Sequence, residues 1–285
     1  MQFPFFLGAE VCRKAKQLKI PLICSFHVQP ENLLRNLGMS SGLISKWLYR
    51  LFIWAMYQHA DLVLTPSQFA ADQLRLHGLT QPIEVLSNGV PGEFFEVVKQ
   101  PSESDKFQVL SVGRMASEKH HDQILAAIAR SKHKDNIQLR LIGAGPLQEK
   151  LQEMARILGV EAEIGPTDNE TLMASYQHAD LFVHAGEIEL EGMSVLEAMA
   201  TGNAVLISDS VDSAAVEFVE RPEELFTAGD VSDLTHKLDH WLDNPDSRDT
   251  QGAENRARAK QRDHKNSVQQ LFDTYQRFGQ TNCLH

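Results

Sequence analysis

Short apolar runs rich in β-branched residues alternate with segments of helical periodicity along almost the whole chain. Strands that are each followed by a helix are typical of βαβ units, whose parallel strands form a sheet covered by helices. The pattern therefore predicts an α/β fold with parallel sheets. The predicted helices cover residues 44–59, 122–130, 145–158, 194–200 and 268–278. The predicted strands are Pro21–His27, Leu62–Pro66, Ile83–Ser87, Gln108–Gly113, Gln138–Gly143, Glu161–Ile164, Leu181–His184 and Ala204–Ser208.

A change of composition divides the chain into domains. Residues 91–106 combine Pro, Gly, Ser and mixed charge, which is typical of a linker. We expect an N-terminal domain over 1–100, a C-terminal domain over 101–268 and a terminal helix over 269–285 that packs back onto the body. Only three predicted strands precede residue 100, whereas a doubly wound domain usually has about five or six. The first domain is therefore expected to be truncated, and the chain is expected to self-associate or to bind a partner chain.

The composition excludes several classes of protein. A formal net charge of −11 argues against a nucleic-acid-binding protein. Residues 1–100 alone hold nine Lys and Arg against seven Asp and Glu, so this part can meet an anionic surface. The three cysteines lack the spacing of a disulfide framework or a metal site. With no signal-peptide pattern and no apolar run of about 18 residues, we expect a cytoplasmic protein, in solution or at the inner face of the membrane.

Arg114 and Lys119 follow the predicted strand that ends at Gly113, and they precede the next predicted helix. Ligands of open α/β sheets bind just outside the carboxyl ends of the strands. Two cations beside a helix N-terminus suit a diphosphate. A solvated basic pair at a helix start has the same spacing, so the pattern leaves both interpretations open.

The segment Gly143-Ala-Gly145-Pro146 joins a predicted strand to a helix, with proline at the first helical position. It does not complete a dinucleotide fingerprint, because Gln148 stands at the third glycine position. A nicotinamide-dependent dehydrogenase has no other support in the sequence. We therefore interpret the segment as a tight turn whose backbone amides can face a ligand.

Three alternating glutamates, Glu187, Glu189 and Glu191, lie between a predicted strand and the helix that Gly192 opens. Glu197 interrupts an otherwise apolar face of that helix. Carboxylates accept hydrogen bonds from hydroxyl groups, so one at each end of the segment can hold a ribose and a hexose. A metal site is the competing interpretation of the three glutamates. The chain contains no Asp-x-Asp pair, and we expect no metal.

These segments resemble the retaining glycosyltransferases of family 4, which have the two-domain GT-B fold. That family carries a Gly-Arg…Glu-Lys stretch, matched here over 113–119, and a Glu-x7-Glu motif followed by Ala-Met-Ala and Gly, matched over 189–202. The resemblance extends over about residues 20–245. Segments 25–32 and 189–197 are similar in particular to bacterial diacylglycerol α-glucosyltransferases, which make membrane glycolipids from UDP-glucose. The Gly-rich loop after the family's first strand has no counterpart here.

The resemblance implies a role for each matched residue. Arg114 and Lys119 hold the donor diphosphate, Glu197 holds the ribose and Glu189 holds the transferred sugar. His27, at the end of a strand of the first domain, lies beside the reacting centre. The UDP-sugar is a substrate, so no cofactor is expected. The implied catalytic residues are His27, Arg114, Lys119 and Glu189. The implied donor-binding residues are Arg114, Lys119, Gly143, Glu189, Gly192, Met193, Ser194 and Glu197.

Residues 44–57 contain two cations, five aromatic residues and no acid. Such a helix can lie at a membrane interface, with its cations near lipid phosphates and its aromatic rings in the headgroup region. A core helix that is covered on all sides gives the same composition. The sequence leaves both interpretations open, and the glycolipid resemblance favours peripheral membrane contact.

The expected activity is transfer of a hexose, glucose by the resemblance, from a UDP-sugar to a hydroxyl acceptor such as diacylglycerol, with retention of configuration. The alternative is a non-catalytic, donor-binding fragment, or one subunit of a split glycosyltransferase that needs a partner chain. Turnover of the UDP-sugar by the purified chain separates these two functions.

Overall fold

The chain forms two compact units. Unit 1 takes the described residues up to Gly89 and again from His264, and unit 2 takes Val90–Asp263. The first boundary thus lies upstream of the predicted one at residue 100, and the chain re-enters unit 1 upstream of residue 269. The computed structural model describes residues 6–36, 39, 42–102 and 104–282.

Unit 1 is built on three parallel strands, β1 (Ile23–Ser25), β2 (Leu62–Thr65) and β3 (Ile83–Val85). They pair in the order β1-β2-β3, and all four residues of β2 are buried, as expected of a central strand. β1 is shorter than predicted, and His27 lies just beyond its carboxyl end. The helices before Gly89 are α1 (Phe6–Leu18), α2 (Pro30–Asn36), α3 (Gly42–Ala55) and α4 (Gln68–Leu76).

Unit 2 contains a six-stranded parallel sheet. Its strands are β4 (Phe107–Val112), β5 (Ile137–Ile142), β6 (Ala162–Gly165), β7 (Leu181–His184), β8 (Val205–Ser208) and β9 (Leu225–Phe226). They pair in the order β6-β5-β4-β7-β8-β9. Its helices are α5 (Gly92–Glu96), α6 (His121–Arg130), α7 (Gln148–Leu158), α8 (Asn169–His178), α9 (Met193–Ala200), α10 (Val231–Asp243) and α11 (Pro245–Lys260). The parallel α/β architecture expected from the sequence is confirmed.

Helices cover both faces of the six-stranded sheet, so its strands are apolar on both sides. Neighbouring residues of β4, Val109 and Leu110, are buried in two different hydrophobic clusters, because successive side chains of a strand point to opposite faces. α6, α7 and α10 contribute to the first cluster, and α5, α8 and α9 contribute to the second. This two-sided burial explains why the strands read as continuous apolar runs.

The segment 91–106, predicted as a linker, contains α5 and is partly packed into unit 2. Phe94 and Phe95 are buried in the second hydrophobic cluster. The guanidinium group of Arg256 donates hydrogen bonds to the carbonyl of Phe95 and, at 2.7 Å, to that of Val97. The linker prediction is therefore wrong for the first part of this segment, because its two phenylalanines are core residues.

α11 lies in a stretch whose polarity gives no hydrophobic pattern. Its buried face carries Arg248, Gln251 and Asn255. The amide of Gln251 bonds to both backbone groups of Val205, and Asn255 donates to the carbonyl of Asn203 at 2.9 Å. The helix is held by hydrogen bonds to the body of unit 2, which hydropathy does not predict.

The terminal helix α12 (His264–Asn282) starts earlier than the predicted run 268–278 and belongs to unit 1. Glu84 in β3 anchors it. The hydroxyl of Thr274 donates to this carboxylate at 2.7 Å, and the guanidinium group of Arg277 donates to it at 2.6 Å. The helix therefore packs on β3 of unit 1.

Candidate functional site

The carboxyl ends of the parallel strands in unit 2 meet at one edge of the sheet. β4 lies between β5 and β7, so the chain leaves β4 toward one side of the sheet and later returns on the other side. Open α/β sheets bind their ligands in the crevice at such a switch point. Two connections border it here, from β4 to α6 and from β7 to α9. Together with helix α9, they carry most of the residues that the sequence analysis selects.

Arg114 lies in the first of these connections, just after β4. A guanidinium nitrogen donates to Oε1 of Glu118 at 2.5 Å. The carboxylate side chain is buried, whereas 49% of the Arg114 side chain is exposed. Arg114 is thus held by a buried carboxylate while about half of its side chain stays in contact with solvent, from which an anion can approach.

Lys119 ends a 3-10 turn in the same connection, and it meets the β7–α9 loop. Its ammonium group donates a hydrogen bond to Oε1 of Glu189. Only 18% of the Lys119 side chain and 13% of the Glu189 side chain are exposed. Nε2 of His184 lies 3.1 Å from the same oxygen but outside hydrogen-bond geometry. The predicted diphosphate ligand and the predicted sugar ligand therefore form one partly buried ion pair.

The ion pair fixes the ionisation of Glu189. Burial by itself raises the pKa of this carboxyl group, but the Lys119 ammonium and the His184 ring outweigh burial and lower the pKa from 4.5 to about 2. Glu189 is therefore a carboxylate at any physiological pH. In that form it accepts hydrogen bonds and cannot donate a proton.

Two further contacts fasten the β7–α9 loop to the β4–α6 connection. Nε2 of His120 lies 3.0 Å from Oε2 of Glu187, and the amide of Glu187 donates to the carbonyl of Glu118 at 3.0 Å. Two of the three alternating glutamates thus face basic side chains. Within the described part of the chain, no three His, Cys, Asp or Glu residues are arranged to hold a metal ion. That no metal is needed stays a prediction.

Gly192 opens helix α9 in the left-handed conformation, with a φ of 81°. A Cβ atom there would come within 3.1 Å of the Cβ of Ala215. Met193 and Ser194, both half-buried, form the first turn of α9. The N–H groups of a first helical turn have no intrahelical acceptor and carry the positive end of the helix dipole, so this end of α9 suits an anion.

Glu197 lies in α9 and is half-buried. The hydroxyl group of Tyr176, in α8, donates to its Oε2 at 3.0 Å. Burial raises the pKa of Glu197, and the hydrogen bond from Tyr176 acts in the opposite direction. Glu197 thus has one oxygen fixed by a buried phenol.

The donor-binding role of Gly143 stays a prediction, and the structure shows that this glycine also has a packing role. Its amide donates to the carbonyl of Gly165 at 3.0 Å, so that backbone group is already used. A Cβ atom at this position would lie 2.0 Å from the carbonyl oxygen of Gly113. Because it lacks a Cβ atom, Gly143 allows the backbone segments at the carboxyl ends of β4 and β5 to approach each other closely.

His27 lies in unit 1, where it follows the carboxyl end of β1. Its ring is half-buried, and burial lowers its pKa. The neighbouring Phe26 is fully buried against Tyr49 and Tyr57, with ring centroids 6.1 and 5.7 Å apart respectively. His27 is thus a neutral imidazole at physiological pH. Its position after β1 is fixed by the packing of the adjacent Phe26.

Three residues of the unit 2 site are not among the predicted site residues, although Glu118 belongs to the Gly-Arg…Glu-Lys stretch that the resemblance matches. Glu118 holds Arg114, and its position four residues further along the chain is a signal that could have revealed it. His184 ends β7, so the strand-end rule that selects Arg114 also applies to it. No sequence signal marks Tyr176, because it reaches Glu197 from another helix.

Family models match nearly the whole chain. The model described as "Glycosyl transferases group 1" matches residues 93–258, and the model described as "Glycosyltransferase Family 4" matches residues 1–94. The first match alone covers more than half of the chain and contains the whole unit 2 site.

Two curated relatives are similar over most of the chain. A GDP-mannose-dependent alpha-mannosyltransferase of Corynebacterium glutamicum is 29% identical over 246 residues, which are 80% of this chain and 57% of the relative. An alpha-monoglucosyldiacylglycerol synthase of Streptococcus pneumoniae is 27% identical over 222 residues, which are 72% of this chain and 50% of the relative. The chain thus spans about half the length of the curated relatives that it matches.

The solved structure of Anabaena HepE, a complex with UDP, superimposes with a TM-score of 0.77 at 20% identity and covers 94% of this chain and 75% of that one. This likeness concerns the fold, and it confirms the GT-B class expected from the resemblance. The chain belongs to the glycosyl transferases of group 1.

Proposed function

We propose that the protein transfers a hexose, glucose in the first instance, from a UDP-sugar to a hydroxyl group of a membrane lipid such as diacylglycerol, with retention of configuration. One observation carries the proposal. Two cations, Arg114 and Lys119, and two carboxylates, Glu189 and Glu197, lie around the switch point of the unit 2 sheet, with the N-terminus of α9. A nucleotide-sugar donor has a diphosphate for the cations and hydroxyl groups for the carboxylates.

Arg114 and Lys119 would stabilise the charge that develops on the departing diphosphate. Each cation now has a carboxylate partner, Glu118 for Arg114 and Glu189 for Lys119. Donor binding would therefore require the diphosphate to compete with Glu189 for Lys119. No step of this scheme requires a metal ion.

Glu189 and Glu197 would hold the two sugars of the donor. Glu189, a carboxylate at physiological pH, would accept hydrogen bonds from the transferred hexose. Glu197 would accept them from the ribose. We assign His27 of unit 1 to the acceptor side, where a neutral imidazole can accept a proton from the attacking hydroxyl group.

The names of the relatives support a hexosyl donor but differ in the sugar. One curated relative is named for dependence on GDP-mannose, and another for making a monoglucosyl diacylglycerol. We favour UDP-glucose because segments 25–32 and 189–197 are similar to those of diacylglycerol α-glucosyltransferases, and we favour a lipid acceptor because of helix α3. A lipid acceptor requires a surface that can contact the membrane, and α3 has one.

One face of α3 is apolar and exposed. Leu43, Trp47 and Trp54 recur at helical spacing with 80%, 60% and 67% of their surface exposed, and the cations Lys46 and Arg50 are exposed beside them. In the described part of the chain, no helix is both long and apolar enough to span a bilayer. We propose that this face, here called the α3 lipid face, lies in the headgroup region of an anionic membrane.

The opposite side of α3 is tied to the segment that carries His27. Ser45 and Tyr49 are buried there, and both donate hydrogen bonds to the carboxylate of Glu31 in α2, Tyr49 at 3.1 Å. Tyr49 also packs against Phe26. A membrane-bound α3 would therefore hold the His27 segment close to the lipid surface, where a diacylglycerol hydroxyl group would be offered.

The test measures release of UDP by the purified full chain with UDP-glucose and vesicles that contain diacylglycerol and an anionic phospholipid. The proposal predicts release that depends on diacylglycerol and exceeds release of GDP from GDP-mannose. Donor binding without turnover would instead support the non-catalytic alternative. Turnover with GDP-mannose alone would overturn the choice of donor.

The lipid face has its own test. Replacing Trp47 and Trp54 by Ser should lower the fraction of protein that sediments with anionic vesicles. Leu76, 74% exposed in α4 of the same unit, offers a matched control in Leu76→Ser. Equal sedimentation of all three proteins would remove α3 as the membrane contact.

A further inference from the structure

Tyr176 is a buried hydroxyl-bearing residue behind the proposed ribose ligand. Its side chain is fully buried. Phe94 of α5 packs edge-on against its ring at a centroid distance of 5.6 Å, and Phe182 of β7 stacks on it at 6.1 Å. A ring clamped between two aromatic neighbours has little rotational freedom, so the position of the phenol oxygen is set by the core.

That oxygen points to the first turns of α9. It lies 3.0 Å from Oε2 of Glu197 and 3.5 Å from the carbonyl oxygen of Ser194. Burial raises the pKa of Tyr176 well above 10, so the phenol keeps its proton and serves as a hydrogen-bond donor. The shorter of the two contacts is with the carboxylate of Glu197, which accepts the hydrogen bond from the phenol.

We propose that Tyr176 is a positioning residue of the donor site, which fixes one oxygen of Glu197 so that the other oxygen receives the ribose hydroxyl groups. The inference rests on the proposed function, in which Glu197 is the ribose ligand. A free carboxylate turns about its terminal bond, whereas one held at Oε2 presents Oε1 in a defined direction. Preorganisation of this kind raises affinity because less freedom is lost on binding.

The phenol also keeps Glu197 in its accepting form. Burial raises the pKa of Glu197, the Tyr176 hydrogen bond lowers it, and the charge of Glu93 raises it again. Removal of the hydroxyl group therefore leaves only influences that favour the protonated carboxyl group. Loss of donor affinity at low pH should then begin at a higher pH.

The variant Tyr176→Phe deletes one oxygen atom and keeps the ring in its aromatic clamp. Tyr57→Phe is the matched control, because Tyr57 is equally buried, lies in unit 1, and its hydroxyl group has no hydrogen-bond partner within the described residues. Thermal denaturation of both variants gives the stability cost of the deletion, so that it is not mistaken for a change at the site.

Calorimetry with UDP and with 2′,3′-dideoxy-UDP makes the test. The wild-type chain should prefer UDP; equal affinity for both ligands would refute the ribose role of Glu197 in the proposed function, and the inference with it. Tyr176→Phe should weaken the binding of UDP about twelvefold, the effect of one hydrogen bond to a charged group at the low end of its range. It should leave the affinity for the dideoxy analogue unchanged, and Tyr57→Phe should change the affinity for neither ligand.

Two results would overturn the positioning role while the proposed function stands. An equal loss for UDP and its dideoxy analogue in Tyr176→Phe would show that the tyrosine acts only through the general structure of the site. Identical dependence of UDP affinity on pH in wild type and Tyr176→Phe, with no loss of affinity, would show that the hydrogen bond does not hold Glu197.

Discussion

The ion pair between Lys119 and Glu189 occupies the place where the donor diphosphate is proposed to bind. Glu189→Gln keeps the size of the side chain and removes its charge. Lys119 then loses its carboxylate partner and is free to contact the diphosphate. We therefore expect Glu189→Gln to bind UDP more tightly than wild type, while transfer of the hexose is lost because the sugar has lost its carboxylate ligand.

The magnitude follows from the burial of the pair. With 18% of one side chain and 13% of the other exposed, solvent screens this pair less than a surface pair. A hydrogen bond between charged groups contributes about 1.5–3 kcal/mol, and the diphosphate regains part of it from Lys119. A gain of about 1.5 kcal/mol, the low end of this range, corresponds to a fall of about twelvefold in the Kd for UDP.

Titration calorimetry with UDP is the assay, with transfer to diacylglycerol measured in parallel. Glu187→Gln is the matched control, because Glu187 lies in the same loop but faces His120. It removes the same charge from the site without releasing Lys119. A gain in affinity that is equal in the two variants would mean that only the net charge matters, and an unchanged or weaker affinity in Glu189→Gln would refute the competition between carboxylate and diphosphate.

Three further predictions concern the same residues. Arg114→Ala and Lys119→Ala should each weaken UDP by about 1.5–3 kcal/mol in calorimetry, with the exposed Lys132→Ala as an unaffected control; unchanged affinity in both would remove the cation site. His27→Gln should bind UDP like wild type but lose most transfer in the vesicle assay, and full transfer would exclude His27 from the chemistry. The pKa of Glu189, about 2 instead of 4.5, contributes about 3 kcal/mol of folding stability above pH 4.5, and this stability is lost as the pH falls through 2. Denaturant unfolding should therefore show that Glu189→Gln loses less stability than wild type over this pH range. An identical loss in the two proteins would contradict the low pKa.

The strands of unit 2 could be predicted because their burial on both faces makes each an apolar run. The predicted run Leu181–His184 coincides with β7, and the others differ from the structure by a residue or two. β9, with two residues, is too short to give a pattern. α11 escaped prediction for a different reason, since its buried side chains are polar and are satisfied by hydrogen bonds that only the folded unit contains.

The sequence predicts which residues belong to the unit 2 site better than it predicts which side chains they contact. The strand-end rule and the family motif select Arg114, Lys119, Glu189 and Glu197, which the structure places around one switch point. The pairing of Lys119 with Glu189 spans 70 residues of sequence, and no local pattern shows whether two such residues bind each other or a ligand. Tyr176 reaches Glu197 across the core from another helix, and only the packing of its ring decides that contact.

A crystal structure of the full chain with UDP would show whether the switch-point site binds the donor. We expect the diphosphate within hydrogen-bond distance of Arg114 and Lys119, the ribose hydroxyl groups on Glu197, and Lys119 withdrawn from Glu189 or shared with it. UDP bound elsewhere, or bound here while Lys119 stays on Glu189 and Glu197 touches no part of the nucleotide, would contradict this expectation.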